Sequence, residues 1–495
     1  MTSTSNMRSA RPLEWLLPAL LSVPLWASAG DLPVFNVPVA QARCYTSSDR
    51  FADLCPSADG ALVYAATDGG LLEYASDGTF RMKYTRRDGL CGHGVREILP
   101  ARDGRLWLAT TAGACARGAG PWVSYTRQQG LGDDCVYAMA EDRKGVVYAG
   151  TERGINRLRG TRFETFDDTH EFGRKPTYGI HSARDGSLWF AKAACLTHYT
   201  ADHRWETFQR DPFDPDKRSR MTSNSLLCVD TDEQGQPWIG TAVGMGRFDG
   251  HAWTSIFYTE RFFGGRGPLD NRIVTLACDA TGFIWIGYGD ARSFDRALGL
   301  TRFRGDDWRH FRVGDGIPSD EVHRVRAGAT AGVWVATGRG GACLDGTRRL
   351  CYRPVSELAD NHVAAVRRES DGRVVVQTTT GTAMFRGGEP MNEAVSTKSA
   401  AFAASNIPVV DPALRISGIR DLAPRVMLRA GDGRVWLGTR DEGLLCREGA
   451  RWHRVLLNGQ AFPREITCLC EEALGVLWVG TAAEGALRLD MTAAR

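Results

Sequence analysis

Arginine, lysine and aromatic residues gather in a few stretches of this 495-residue chain, and the mixture points to one kind of chemistry. His170, Phe172 and Arg174 fall in the first stretch, and Phe213, Arg218 and Arg220 in the second. Tyr258, Arg261, Phe262 and Arg266 make a third, and Tyr288 with Arg292 a fourth. Guanidinium forks pair with carboxylate or phosphate, and ring faces stack on sugars, so the set suits an anionic or carbohydrate-like small ligand, or a partner protein. The same arginines would also make an ordinary solvated surface beside Asp214, Asp216 and Asp270. Catalytic chemistry has less to stand on. The ten histidines show neither H-x-x-H nor H-E-x-x-H spacing, and G-x-S-x-G is absent. His170, Glu171 and His181 are the acid/base candidates, and no catalytic residue is assigned.

Metal and cofactor chemistry are not expected. The recurring Asp/Gly segments, such as Asp232 to Gly235, carry too few acidic oxygens for a calcium loop and read as tight turns. Cys468-Leu469-Cys470 is a C-x-C with no second pair to complete a zinc site. Thirteen cysteines leave at least one unpaired. Cys343 with Cys351, and Cys91 with Cys135, are candidate bridges, whereas Cys115, Cys195, Cys343 and Cys446 recur at one repeat position and read as small buried hydrophobes.

The elements that would position the ligand residues come from an internal repeat. Tyr64, Trp107, Tyr148, Trp189, Trp238, Trp285, Trp334, Val375, Trp436 and Trp478 each centre an apolar strand. Most lie 41 to 49 residues apart, with one 61-residue interval before Trp436. That is the length of a four-stranded propeller blade. Each unit has an apolar strand, an Asp/Gly turn, the aromatic strand, a Thr-x-x-Gly turn, a third strand and a fourth with its own aromatic. Lys192 and Tyr288 stand where this threonine is regular. The expected fold is therefore all-β: a β-propeller of ten four-stranded repeats over 30–495, in one ring. A strand around Cys44-Tyr45-Thr46 would complete the last blade, because the tenth unit stops before its fourth strand. Two smaller rings would place their break in the 61-residue interval. The enlarged loops, which fall between third and sixth units, would open on one face and be neighbours in the single ring.

Composition limits the partners. Lys+Arg 61 against Asp+Glu 58 gives +3, too balanced for a nucleic-acid or membrane-surface field. Residues 1–29 read as a secretory signal: Arg8 and Arg11, then an apolar run, then Ala27-Ser28-Ala29. The mature protein is expected to be periplasmic or secreted, with no membrane insertion after cleavage.

The string D-x-x-G-x-[LI]-W-[IV]-G-T-x-x-G-[LI], clearest at Asp232 to Gly244 and Gly433 to Leu444, resembles the two-component regulator propeller repeat. Asp88-Gly89-Leu90, Gln129-Gly130-Leu131 and Asp315-Gly316-Ile317 continue the pattern. The resemblance implies an extracytoplasmic, sensor-like binding propeller. Unlike that family's receptors, this chain is expected to carry no kinase or output domain of its own. A propeller lyase or hydrolase acting on a carbohydrate-like substrate, and an assembly scaffold, are the alternative readings.

Overall fold

The aspartate of each Asp/Gly turn folds its own turn. Asp232 Oδ1 accepts the Gln234 and Gln236 amides at 3.0 and 2.9 Å, and Asp279 Oδ1 accepts those of Thr281 and Phe283. The other oxygen reaches the strand aromatic six residues on: Trp238 Nε1 donates to Asp232 Oδ2 at 3.1 Å and Trp285 Nε1 to Asp279 Oδ2 at 2.7 Å. One side chain thus closes the hairpin and orients the core ring.

The computed structural model describes residues 32–37, 42–48, 50–166, 173–211, 213, 221–258, 267–288, 297–327, 332–345, 348–354, 356–358, 361–391, 424–449, 451–457, 459–463 and 465–492. The expected signal segment 1–29 lies outside them. The chain divides into two units, residues 45–357 and residues 1–44 with 358–495.

In the first unit, seven four-stranded antiparallel sheets follow one another: 51–84, 95–125, 136–165, 177–208, 226–256, 273–311 and 322–352, each with its strands in chain order. Every sheet buries one face against the next. Cys115 and Trp122 of the second meet Tyr84 of the first, and Trp107 of the second meets Phe163 of the third. The same packing runs on to the seventh sheet. There Ala336 and Tyr352 pack on Phe51, Leu54 and Tyr74 of the first sheet. The seven sheets therefore stand in cyclic order.

This corrects the single ten-membered ring. The four-stranded repeat was legible, but which sheet meets the first is decided by side chains at that one interface. The break between units also falls at 44/45 and 357/358, not in the 61-residue interval. The unit's two ends lie side by side: the Thr46 amide donates to Glu357 Oε2 at 3.2 Å and the Ser48 amide to Ser356 Oγ at 2.7 Å. Lys83 Nζ binds both the Thr46 carbonyl, at 3.1 Å, and Glu357, at 2.5 Å.

Among the described residues the second unit holds three sheets. Val34–Val37 runs parallel to Arg451–Leu457 at the edge of one, and Ala42–Tyr45 adjoins Ala486–Asp490 in another. The sheet of 466–490 packs against both companions. Its Leu477 and Val479 meet Trp436, and its Trp478 meets Phe385 of the 363–390 sheet, ring centroids 5.0 Å apart.

A disulfide joins Cys91 to Cys115, so Cys115 is not the inert hydrophobe expected; Cys135, Cys343 and Cys351 carry free thiols. Two residues beyond Cys91, His93 is fully buried and neither ring nitrogen has a hydrogen-bond partner. Burial, helped by the charges of Arg86 and Lys83, holds its pKa well below 6.5. Below that pH the unfolded chain takes up a proton that the folded one refuses, so stability falls as pH falls. The expected slope is about 1.4 kcal/mol per pH unit below roughly pH 6.5. Urea unfolding at pH 7 and pH 5 measures it, and His93→Gln should abolish this part of the slope.

Candidate functional site

The first strand of each sheet in the seven-sheet unit lines the inside of the ring, and each carries a β-bulge at its second residue. Register slips between Phe51 and Asp53, Val95 and Glu97, Val136 and Ala138, and Thr177 and Gly179, and likewise in the other three. A bulge leaves one residue unpaired and re-aims its side chain. The seven re-aimed residues are Ala52, Arg96, Tyr137, Tyr178, Leu227, Val274 and His323, all partly exposed. They sit at the end of the ring from which the Thr-x-x-Gly turns and the links between sheets emerge.

Three of them form a continuous arc. The Arg96 guanidinium lies 4.6 Å from the Tyr137 ring centroid, and Tyr137 meets Tyr178 edge-on at 5.0 Å. Tyr137 Oη donates to Glu152 Oε2 at 2.6 Å, in the turn of the third sheet. Burial, then hydrogen bonding to Glu152 and Cys135, raises the Tyr137 pKa, so the phenol keeps its proton. Beside the arc, where the seventh sheet meets the first, Arg50 Nε donates to His323 Nε2 at 3.0 Å. The mouth thus offers guanidinium groups, two phenol rings and a carboxylate.

A charged layer lies one step deeper. Asp53 is fully buried and accepts Arg326 through both oxygens, at 2.7 and 2.6 Å, while Ile98 N donates to Oδ2 at 2.9 Å. Arg324 pairs with Glu97, which also accepts the Met139 amide at 3.1 Å. Further round, His181 Nδ1 meets Asp230 Oδ1 at 2.9 Å and its Nε2 meets Thr231 Oγ1 at 2.9 Å. Asp230 in turn accepts the Cys278 amide at 2.9 Å. These side chains stitch neighbouring first strands together. His181, an acid/base candidate, has both ring nitrogens engaged in this stitching, and His170 and Glu171 lie outside the described residues.

The sequence-predicted ligand residues divide three ways. Arg174, Phe213 (86% exposed) and Tyr258 (44% exposed) stand at the surface. Lys192 is fully buried. Tyr288 is buried too, its hydroxyl donating to Thr301 Oγ1 at 2.8 Å and accepting the Leu269 amide at 3.0 Å. His170, Phe172, Arg218, Arg220, Arg261, Phe262, Arg266 and Arg292 lie outside the described residues. Arg96, Tyr137, Tyr178 and Glu152 are hidden in a repeat aligned on its central aromatic. Aligned on the first strand, the break in alternation at Val95-Arg96-Glu97 and Val136-Tyr137-Ala138 marks them.

No family model and no curated protein matches this sequence. Among solved structures, a Niastella koreensis GH74 enzyme is 9% identical, with 90% of this chain and 98% of that chain covered and a TM-score of 0.49. Virginiamycin B lyase from Staphylococcus aureus is 14% identical over 60% of this chain and 96% of its own, TM-score 0.45. The extracellular domain of a putative hybrid two-component system from B. thetaiotaomicron is 15% identical over 89% and 70%, TM-score 0.33. No helix among the described residues is long and apolar enough to cross a membrane.

Proposed function

We propose that this protein is an extracytoplasmic, sensor-like binding propeller. It takes an anionic or carbohydrate-like ligand, free or displayed on a partner protein, at the mouth of its seven-sheet ring. The observation that carries the reading is the arc of Arg96, Tyr137 and Tyr178, three bulge residues on consecutive sheets forming one cation–aromatic surface. Phenol rings offer faces to sugar C–H groups, and a guanidinium beside them pairs with a carboxylate. The arginines of the enlarged loops, Arg261 and Arg266 among them, would add to the same field.

The test is a thermal-shift and calorimetric screen of the intact protein against oligogalacturonates and their neutral counterparts. An acidic saccharide is expected to raise the unfolding midpoint, and Arg96→Ala with Tyr137→Ala to weaken its binding at least a hundredfold, about 3 kcal/mol. Arg261→Glu should weaken it too. Equal affinity in the Arg96/Tyr137 double variant would remove the site.

A further inference from the structure

At the opposite end of the sheets from the mouth, the groove between the first and second sheets is not filled. The fifth position of the third strand explains why. In six sheets of the ring it holds an apolar or aromatic side chain: Tyr74, Leu158, Tyr199, Phe248, Phe303 and Leu344. In the second sheet it holds Arg117, paired in register with Leu106. A cavity of about 220 Å³ remains there, walled by Tyr64, Tyr84 and Trp122 and bearing Arg117 and Glu73.

The polar groups of this cavity are set up and incompletely used. The Arg117 guanidinium stacks 4.8 Å from the Tyr84 ring centroid and 5.8 Å from that of Trp122. It hydrogen-bonds the Tyr84 hydroxyl and, among the described residues, makes no ion pair. Among the described residues Glu73 Oε2 accepts only the Tyr84 hydroxyl, at 3.0 Å. Trp122 is 8% exposed, and its buried Nε1 has no acceptor.

We infer that this cavity binds a free α-amino acid with an apolar side chain. The site carries one positive and one negative group between aromatic walls, and a zwitterion matches that pattern without leaving a net buried charge. Its carboxylate takes the Arg117 fork; its ammonium takes Glu73 and the tyrosine faces; its side chain lies along Leu106 and Trp122. The volume admits one residue-sized molecule, below the 300 Å³ or more of drug-sized pockets.

The experiment is calorimetry of the intact protein with L-leucine and L-phenylalanine, against 4-methylpentanoate and isoamylamine, each lacking one charge. At least one amino acid is expected to bind, and both analogues to bind at least tenfold more weakly. Arg117→Leu should abolish binding while keeping the fold, since Leu158 and Leu344 occupy the equivalent place; unchanged circular dichroism checks this. Glu73→Gln should weaken leucine at least tenfold and 4-methylpentanoate little. Absence of amino-acid binding, analogue affinities equal to leucine's, or unaltered binding in Arg117→Leu would each overturn the inference. The mouth variants Arg96→Ala and Tyr137→Ala should leave amino-acid binding unchanged, which separates this site from the saccharide one.

Discussion

Asp53→Ala is expected to lower the thermal midpoint by roughly 10 °C, the consequence of a 3–5 kcal/mol loss on breaking a buried ion pair in a large domain. The first sheet meets the seventh through this carboxylate. Asp53 is 0% exposed and binds Arg326 Nε and Nη2 at 2.7 and 2.6 Å, with Arg324 Nε 3.6 Å away. Alanine would leave Arg326 with Glu97 at 3.3 Å and the Ile98 carbonyl at 2.7 Å, and Ile98 N with no acceptor. Arg326, a quarter exposed, cannot lose its proton and would keep a half-buried charge short of its main partner. Asp53→Leu with Arg326→Met, which removes both charges, should recover most of the loss. A midpoint displaced by less than 3 °C in the single variant would mean that apolar packing alone closes the ring.

The same residue has a pH signature. Burial would raise the Asp53 carboxyl, but the charges of Arg326 and Arg324 and hydrogen bonds from Arg326 and Ile98 outweigh it and hold the pKa below 3.8. The stabilisation is complete above the ordinary carboxylate range and is lost as pH falls through the depressed folded value. Glu97 runs the other way. Its burial outweighs Arg324 and Arg326, its pKa lies above 4.5, and its contribution diminishes as pH rises through that window. Asp53→Ala should therefore lose part of the acid limb of the stability profile below about pH 4.

Local order was open to reading in the residues, and closure was not. Spacing of aromatic strands marks every four-stranded unit because hydrogen bonds within a unit are short-range: Asp232 folds its turn and holds Trp238 six residues on. Ring size depends on contacts between segments nearly 300 residues apart, such as Leu54 with Ala336, and no repeat period encodes them. The candidate site divides for the same reason. Enlarged loops announce themselves by length and charge. A bulge residue such as Tyr178 announces itself only through a one-residue slip in register, and its partner Tyr137 belongs to another sheet. Tyr288 shows the converse error: loss of the regular threonine there marks a different way of satisfying Thr301 and Leu269, inside the sheet.

Gly70→Ala should destabilise the protein by on the order of 4 kcal/mol, and the Thr-x-x-Gly turn explains why. Thr67 Oγ1 donates to the Gly70 carbonyl at 2.8 Å and accepts the Gly69 amide at 3.1 Å, and the turn of Thr110 and Gly113 repeats the donated bond at 2.8 Å. That geometry holds Gly70 at φ +125° and Gly113 at φ +131°, where an L side chain is strained. It also presses each glycine onto the end of the fourth strand. A Cβ on Gly70 would collide with the Tyr84 carbonyl oxygen, and one on Gly113 would come within 2.5 Å of that of Tyr125. Neither carbonyl can retreat without leaving its sheet. The fourth sheet supplies the control, because Lys192-Ala193-Ala194-Cys195 replaces the motif and Cys195 lies outside the positive-φ region. Cys195→Ala removes one buried sulfur and no conformational freedom, so its cost should stay near 1 kcal/mol. Chemical denaturation of both variants decides it: equal losses would mean that the glycine is kept for side-chain space in the turn and not for its backbone.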